Sequence, residues 1–423
     1  MPGPGGPRDR RRRRVLAGGM TKRGREMSAS SAGVVIVGAG LGGIRVAENL
    51  RNNGFTDPIT LVGAEAHPPY DRPPLSKSVL LGKDDRVDLK PAEFYEDSDI
   101  TLRLGEAVTA VSPTDRTITL ASGATVAYDT LVLATGLDPR PFPGLAENVR
   151  GAHVLRTYDD AVALRGEIDS ASTAVVIGAG FIGCEVAAGL AARGLAVSLV
   201  EPAPTPLAVA LGERIGALVS RLHVANGIDL RTGVGVAKID VSDGRVSAVE
   251  LTDGTTLPAD IVVVGIGSTP VTGYLDGSGI EFAAREVGGG IACDATGHTS
   301  AESVYALGDV ANWLDEDGRP KRVEHWNHTV EQASVVAHQI TGGDAVTASV
   351  AYFWSDQFDV KIQVLGSPRA DDEVHVVDDD GKKFVAYYSR DGVLTGVVGA
   401  GKVGAVMKTR PKLQTPTPVA DLL

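Results

Sequence analysis

Two stretches of the chain run apolar for the length of one short strand and then turn into glycine. Val34–Val37 leads into Gly38-x-Gly40-x-x-Gly43, and residues 175–177 lead into Gly178-x-Gly180-x-x-Gly183. β-Branched runs without polar alternation read as strands buried on both faces, as in a parallel sheet flanked by helices. Each turn is followed by helix-like sequence, a second apolar run and an acid, Glu65 or Glu201. Further apolar strands are predicted within 129–136 (DTLVLATG), 261–270 (IVVVGIGSTP) and 303–313 (SVYALGDVANW), the last stopping at Gly308 and Asp309. Beyond 343 the pattern becomes alternating, as in 384–388 and 393–398, and predicts a small α+β domain.

The repeated unit has a specific mechanical reading. Gly38 and Gly178 permit the tight turn, Gly40 and Gly180 let backbone approach a pyrophosphate, and Gly43 and Gly183 let helix lie against strand. The phosphates would sit at a helix N-terminus, where free N–H groups and the positive dipole end favour an anion. Two such units, each with strand, turn, helix, strand and acid, predict one flavin and one nicotinamide dinucleotide in a chain of α/β class with two Rossmann-like domains.

At 423 residues and 43% apolar the chain can bury more than one core. The longest apolar stretch, 174–200, is interrupted by Glu185, Arg193 and glycines, so no membrane span is expected. Two cysteines, Cys184 and Cys293, argue against a disulfide scaffold and for the cytoplasm. The first 26 residues hold nine of the 41 basic and two of the 53 acidic residues; the rest, with 32 against 51, is near −19. The segment 1–32 reads as a disordered basic tail, with Met27 as the expected natural start and no nucleic-acid role.

Several motifs together resemble the FAD-dependent ferredoxin reductases of cytochrome P450 and Rieske oxygenase systems: YDRPPLSK (70–77), LVLATG, LRT (155–157), FIGCE (181–185), ALGD (306–309), VEHWNHTVEQA (323–333) and FWSDQ (353–357). The resemblance implies a glutathione reductase-like arrangement: an FAD domain of 33–137 and 269–343, an NAD domain of 138–268, and a C-terminal interface domain of 344–423. For FAD it implies Gly38, Gly40, Leu41, Gly42 and Gly43 at the pyrophosphate, and Glu65 near the ribose, although relatives often carry their acid at the position of Ala64. It adds Val108, Ala134, Thr135, Gly136, Arg72, Lys77 and Arg156, Asp309 on the ribityl chain, Val310, and Trp326 beside the ring. For NAD it implies Gly178, Gly180, Phe181, Ile182, Gly183, Glu201, Gly265, Ile266 and Gly267, with Glu185 near the nicotinamide and paired with Lys77 as the two catalytic residues.

An acid at 201 with no cation in 202–207 can bind both ribose hydroxyls and repel a 2′-phosphate, so NADH is expected over NADPH. Segment 70–81 has no cysteine, which removes the thiol relay of disulfide and peroxide reductases. His325 and His328 lack accompanying ligands, so no metal is expected. The expectation is therefore an NADH-dependent reductase passing single electrons to a 2Fe-2S ferredoxin, as a monomer or homodimer. Trp326 and Trp354 would line the exit, and Lys402, Lys408, Arg410 and Lys412 would form a docking patch. The alternatives are an NADH oxidase, diaphorase or rubredoxin reductase, and a redox-sensing flavoprotein resembling apoptosis-inducing factor.

Overall fold

The computed structural model describes residues 1, 32–342 and 350–423. Most of the basic tail, Met27, and the expected 343–344 junction lie outside the described residues. In chain order the elements that build the site are β1 (Val34–Val37), α1 (Leu41–Asn52), β2 (Ile59–Gly63), β3 (Ile100–Leu104), β4 (Thr130–Leu133), β5 (Ala152–His153), β6 (Thr173–Ile177), α2 (Phe181–Ala192), β7 (Ala196–Glu201), α3 (Ala208–Ala225), β8 (Asp229–Thr232), β9 (Ile261–Val264), β10 (Val304–Ala306), α4 (Trp326–Thr341), β11 (Tyr352–Gln357), β12 (Val360–Gly366), β13 (Glu373–Asp379), β14 (Phe384–Arg390) and β15 (Val393–Ala400).

The apolar runs form the centres of two parallel five-stranded sheets, ordered β10-β4-β1-β2-β3 and β8-β7-β6-β9-β5. Residues on both faces of β1 and β6 are buried, which is why neither strand alternates in sequence. In each sheet the Gly-rich turn leaves the carboxyl end of the central strand, where doubly wound folds place their ligands. The first sheet takes β10 from far along the chain. Where the chain passes to and from the second sheet, Leu137–Pro139 and Ser268–Pro270 pair antiparallel.

The C-terminal sheet, β11-β12-β15-β14-β13, is antiparallel. One face shares a hydrophobic core with the second parallel sheet: Val176, Leu190, Ile215 and Val219 pack in the same cluster as Ile362, Phe384, Tyr388 and Val398. α3 reinforces that contact, since the Tyr388 hydroxyl donates to Leu211 O at 2.7 Å and Arg214 Nη1 to Val374 O at 2.6 Å. Among the described residues no helix is long and apolar enough to cross a membrane.

Candidate active site

Both Gly-rich turns are built so that two glycines are required by packing and one faces open space. A Cβ on Gly38 (φ +116°) would lie 2.2 Å from Ala134 O, and one on Gly43 would lie 2.1 Å from Gly38 O. In the second turn, Gly178 (φ +97°) approaches Gly265 O and Gly183 approaches Gly178 O, at 2.3 and 1.9 Å. At Gly40 and Gly180 a Cβ would meet nothing within 4 Å. Neither α1 nor α2 has a side-chain cap or an acid in its first turn, so their leading N–H groups stay available to an anion. The residues present therefore fit a pyrophosphate at each turn.

Two arginines, Arg156 and Arg72, gather where β4 and β10 end, each paired with an acid. Tyr158–Ile168 begins with a capping box, in which Thr157 Oγ1 accepts from Asp160 N and the Asp160 carboxylate accepts from Thr157 N. The same carboxylate takes Arg156 N at 3.0 Å, which directs the guanidinium over Gly136 and to 3.4 Å from Asp309 Oδ2. Arg72 Nη1 donates to Arg156 O at 2.6 Å, linking Arg72 to the backbone of the second arginine. Burial, and after it the Arg72 charge, hold Arg156 below its ordinary pKa. Asp309 follows Gly308, whose N–H is tied to Gln332 Oε1 of α4 at 2.8 Å. Val310 is fully buried behind it.

Glu65 sits on neighbouring side chains. Its Oε1 accepts from Arg72 Nη2 at 2.7 Å and its Oε2 from the Tyr70 hydroxyl at 2.5 Å. Val108 begins a strand just after Gly105 N and Glu106 N bond to Glu65 O and Gly63 O, at the same end of the first sheet. Thr135 Oγ1 donates to Val271 O at 2.8 Å. Leu41 is half-buried, whereas Gly42 packs where a Cβ would meet Leu307 and Thr329 at 3.2 and 3.3 Å. Trp326 Nε1 donates to Asp71 Oδ1 at 2.9 Å.

At the second turn, Glu201 faces the cradle: Oε2 accepts from Ala179 N at 2.7 Å and Oε1 from Ala203 N at 2.9 Å. Gly265, Ile266 and Gly267 leave β9 opposite it, with Gly265 N bonded to Ile177 O. Ile182 is 48% exposed and Phe181 lies edge-on to Phe353, centroids 4.8 Å apart. Lys77, at the end of the RPPLSK segment, reaches across to Glu185 of α2, with Nζ and Oε2 2.7 Å apart and Glu185 only 3% exposed. Ser76 Oγ donates to the same oxygen at 2.5 Å.

His325 packs against an aromatic neighbour. Its ring tilts against Phe353 at 4.4 Å and its Nδ1 is buried without a partner. Burial above all pushes His325 and His328 down to about 4. Among the described residues no group of three or more ligating side chains could hold a metal ion. Burial pushes both thiols up, that of Cys293 to about 12 and that of Cys184 further. Lys402 leaves the expected basic patch, pairing with Asp378 and Asp380 at 3.0 and 3.4 Å.

Reasoning from sequence missed Tyr70, Ser76, Phe353 and Ser355. Only the last left a usable signal: in FWSDQ the polar Ser355 and Gln357 fall on the buried face, where an unpaired polar group is costly.

The pyridine nucleotide-disulphide oxidoreductase family model matches residues 32–333, and a reductase C-terminal model matches 352–421. A ferredoxin–NAD(P)+ reductase of Sphingomonas sp. is 39% identical over 365 residues, 85% of this chain and 87% of the relative. Rhodocoxin reductase of Rhodococcus erythropolis is 37% identical over 91% of this chain and 90% of its own. Putidaredoxin reductase, solved as a covalent complex with putidaredoxin, superposes with a TM-score of 0.86 at 31% identity, covering 91% of this chain and 94% of that one. Two Gly-rich cradles, a lysine–glutamate pair between them and an antiparallel C-terminal sheet are thus found in a chain that belongs to the pyridine nucleotide-disulphide oxidoreductase family, in its ferredoxin reductase branch, with FAD and a nicotinamide dinucleotide as the implied cofactors.

Proposed function

We propose that the chain is a cytoplasmic FAD-dependent reductase that takes electrons from NADH and passes them singly to a 2Fe-2S ferredoxin serving a cytochrome P450 or Rieske oxygenase. The observation that carries this reading is the Lys77–Glu185 pair, which joins the RPPLSK turn to α2 just beyond the second cradle. In this reading 33–137 with 269–343 hold FAD, 138–268 hold the nicotinamide dinucleotide, and 344–423 form the interface domain. A bound flavin accepts hydride from a reduced nicotinamide and releases electrons one at a time.

The protein's own part is to hold, orient and exclude. Gly38 to Gly43 and the first turn of α1 hold one pyrophosphate, with Arg72 and Arg156 supplying charge and the Asp309 carboxylate accepting a ribityl hydroxyl. Val108, Ala134, Thr135, Gly136, Val310 and Trp326 enclose the remainder. Gly178 to Gly183 hold the other pyrophosphate, flanked by Gly265, Ile266 and Gly267. Glu201, fixed by two backbone N–H groups, meets the adenosine ribose hydroxyls and repels a 2′-phosphate. Phe181 and Phe353 wall off water where the two halves meet. Lys77 supplies positive charge there, held in place by Glu185.

For the acceptor side, Tyr352 and Trp354 stack at 5.9 Å, and Trp326 meets Trp354 edge-on at 6.5 Å. Cations rim this surface: Lys361 lies over Trp354, Arg45 over Trp326, and the exposed Arg410 reaches Val350 O. Lys408 and Lys412 are also exposed, and an acidic ferredoxin would be steered to this side. The test is NADH-dependent reduction of a 2Fe-2S ferredoxin, read through cytochrome c against ferredoxin-free and NADPH controls. Turnover that requires both NADH and ferredoxin is expected; flavin bleaching by NADH with no ferredoxin-dependent turnover would contradict the acceptor.

A further inference from the structure

We infer that Ser355 and Gln357, with His223 behind them, are positioning residues for the Lys77–Glu185 pair, an inference that rests on the NADH and flavin reading above. β11 is two-faced. Tyr352, Trp354 and Asp356 share one side, where the two rings stack and Asp356 pairs with Lys361 at 2.7 Å. Phe353, Ser355 and Gln357 share the other, and both polar members are fully buried.

Glu185 is gripped from two directions. Oε2 accepts from Ser76 Oγ and Lys77 Nζ, at 2.5 and 2.7 Å. Oε1 accepts from Ser355 Oγ at 2.7 Å and Asp356 N at 3.2 Å. Behind Ser355, Gln357 Nε2 donates to the serine hydroxyl at 3.2 Å, and His223 Nε2 lies 3.0 Å from Gln357 Oε1. His223 Nδ1 is buried without a partner, and burial also holds the ring below its ordinary pKa, so the imidazole is neutral with its proton on Nε2. Every bond in the row then donates toward the carboxylate, and such chains strengthen one another in a low dielectric. The C-terminal sheet thereby fixes which oxygen of Glu185 faces Lys77.

Among the described residues, other titratable groups lie near Glu185. They are Cys184 beside it on α2, Glu201 on β7 beyond that thiol, Asp356 whose carboxylate is engaged by Lys361, and His325 across Phe353. Without the Ser355 hydroxyl, Oε1 keeps only Asp356 N, so the carboxylate can turn or take a proton and Lys77 loses its fixed counter-charge.

The test uses the flavin-loaded full chain, measuring the rate of flavin reduction by NADH from pH 5.5 to 9 and the flavin midpoint potential. Relative to the parent, Ser355→Ala is expected to lose a further tenfold or so in rate between pH 8 and pH 6, and to have a more positive potential. Gln357→Leu should move both readouts the same way by less, and Ser355→Thr should restore them. Parent-like pH profile and potential in Ser355→Ala would overturn the inference, whatever its melting temperature. If Ser355→Ala does not fold, Gln357→Leu decides, and parent values there overturn it. Should the parent bleach with NADH but fail to reduce ferredoxin, the acceptor reading falls and this one stands. Should NADH not bleach the parent at all, the potential alone decides.

Discussion

The two Gly-rich units share one sequence pattern and one backbone solution, yet their surroundings differ. Around the first, α1 packs on α4, Leu307 and Thr329 crowd Gly42, and Arg72 donates to the backbone of Arg156. Around the second, Gly180 and Ile182 are exposed, no cation among the described residues pairs with Glu201, and the acid is tied to the cradle itself. Enclosure and fixed positive charge suit a cofactor that stays, whereas an open rim with one discriminating acid suits a dinucleotide that exchanges. Two like sets of glycines thus stand in unlike surroundings.

Swapping glycines would break this comparison most severely. Gly43→Val forces a side chain into Gly38 O and Leu61 and should abolish flavin retention and, with it, activity. Gly183→Val should lose NADH binding by several hundredfold, about 4 kcal/mol, while the purified protein keeps its flavin. Absorbance of protein-bound flavin and a titration of NADH-driven bleaching check both. Flavin loss in the second variant would mean that the two units are not separable.

A smaller effect is expected where electrons leave. Trp354→Ala removes the ring between Tyr352 and Trp326 and should slow ferredoxin reduction about tenfold without changing flavin reduction by NADH. Stopped-flow measurement of each half-reaction separates the two, and equal slowing would remove Trp354 from the exit.

A separate effect, on stability and not on turnover, is a matter of pH. His325 and His328 are held near 4 in the folded protein but titrate near 6.5 when unfolded, so between these values the unfolded chain binds more protons. Stability is then full above about 6.5 and falls as pH drops toward 4, by at most about 3 kcal/mol for each histidine. Melting of the flavin-free protein across pH 4–7 should show this slope, and His325→Gln with His328→Gln should flatten it.

Much of this was legible in the chain because it depends on local rules. The strands at 34–37 and 173–177, the glycine roles and the acid at 201 follow from chirality, packing and helix-end chemistry within one unit. What stayed hidden depends on partners far along the chain. Ser76 and Ser355 read as ordinary polar residues until folding brings both to Glu185, 109 and 170 positions away. Lys402 reads as part of a basic run until Asp378 and Asp380 arrive from β13 and the turn after it. Glu65 is instructive in another way, since its takers, Tyr70 and Arg72, are near neighbours, but only the fold turns all three together.

We propose that the second cradle, through Glu201, is the exchangeable NADH site while the first holds a resident flavin. Glu201→Arg tests it most directly, with flavin content and the rates of bleaching by NADH and NADPH compared with the parent. Full flavin content, a loss of about 10- to 100-fold in efficiency with NADH, and a relative gain with NADPH are expected. Loss of flavin, or unchanged preference for NADH, would contradict it.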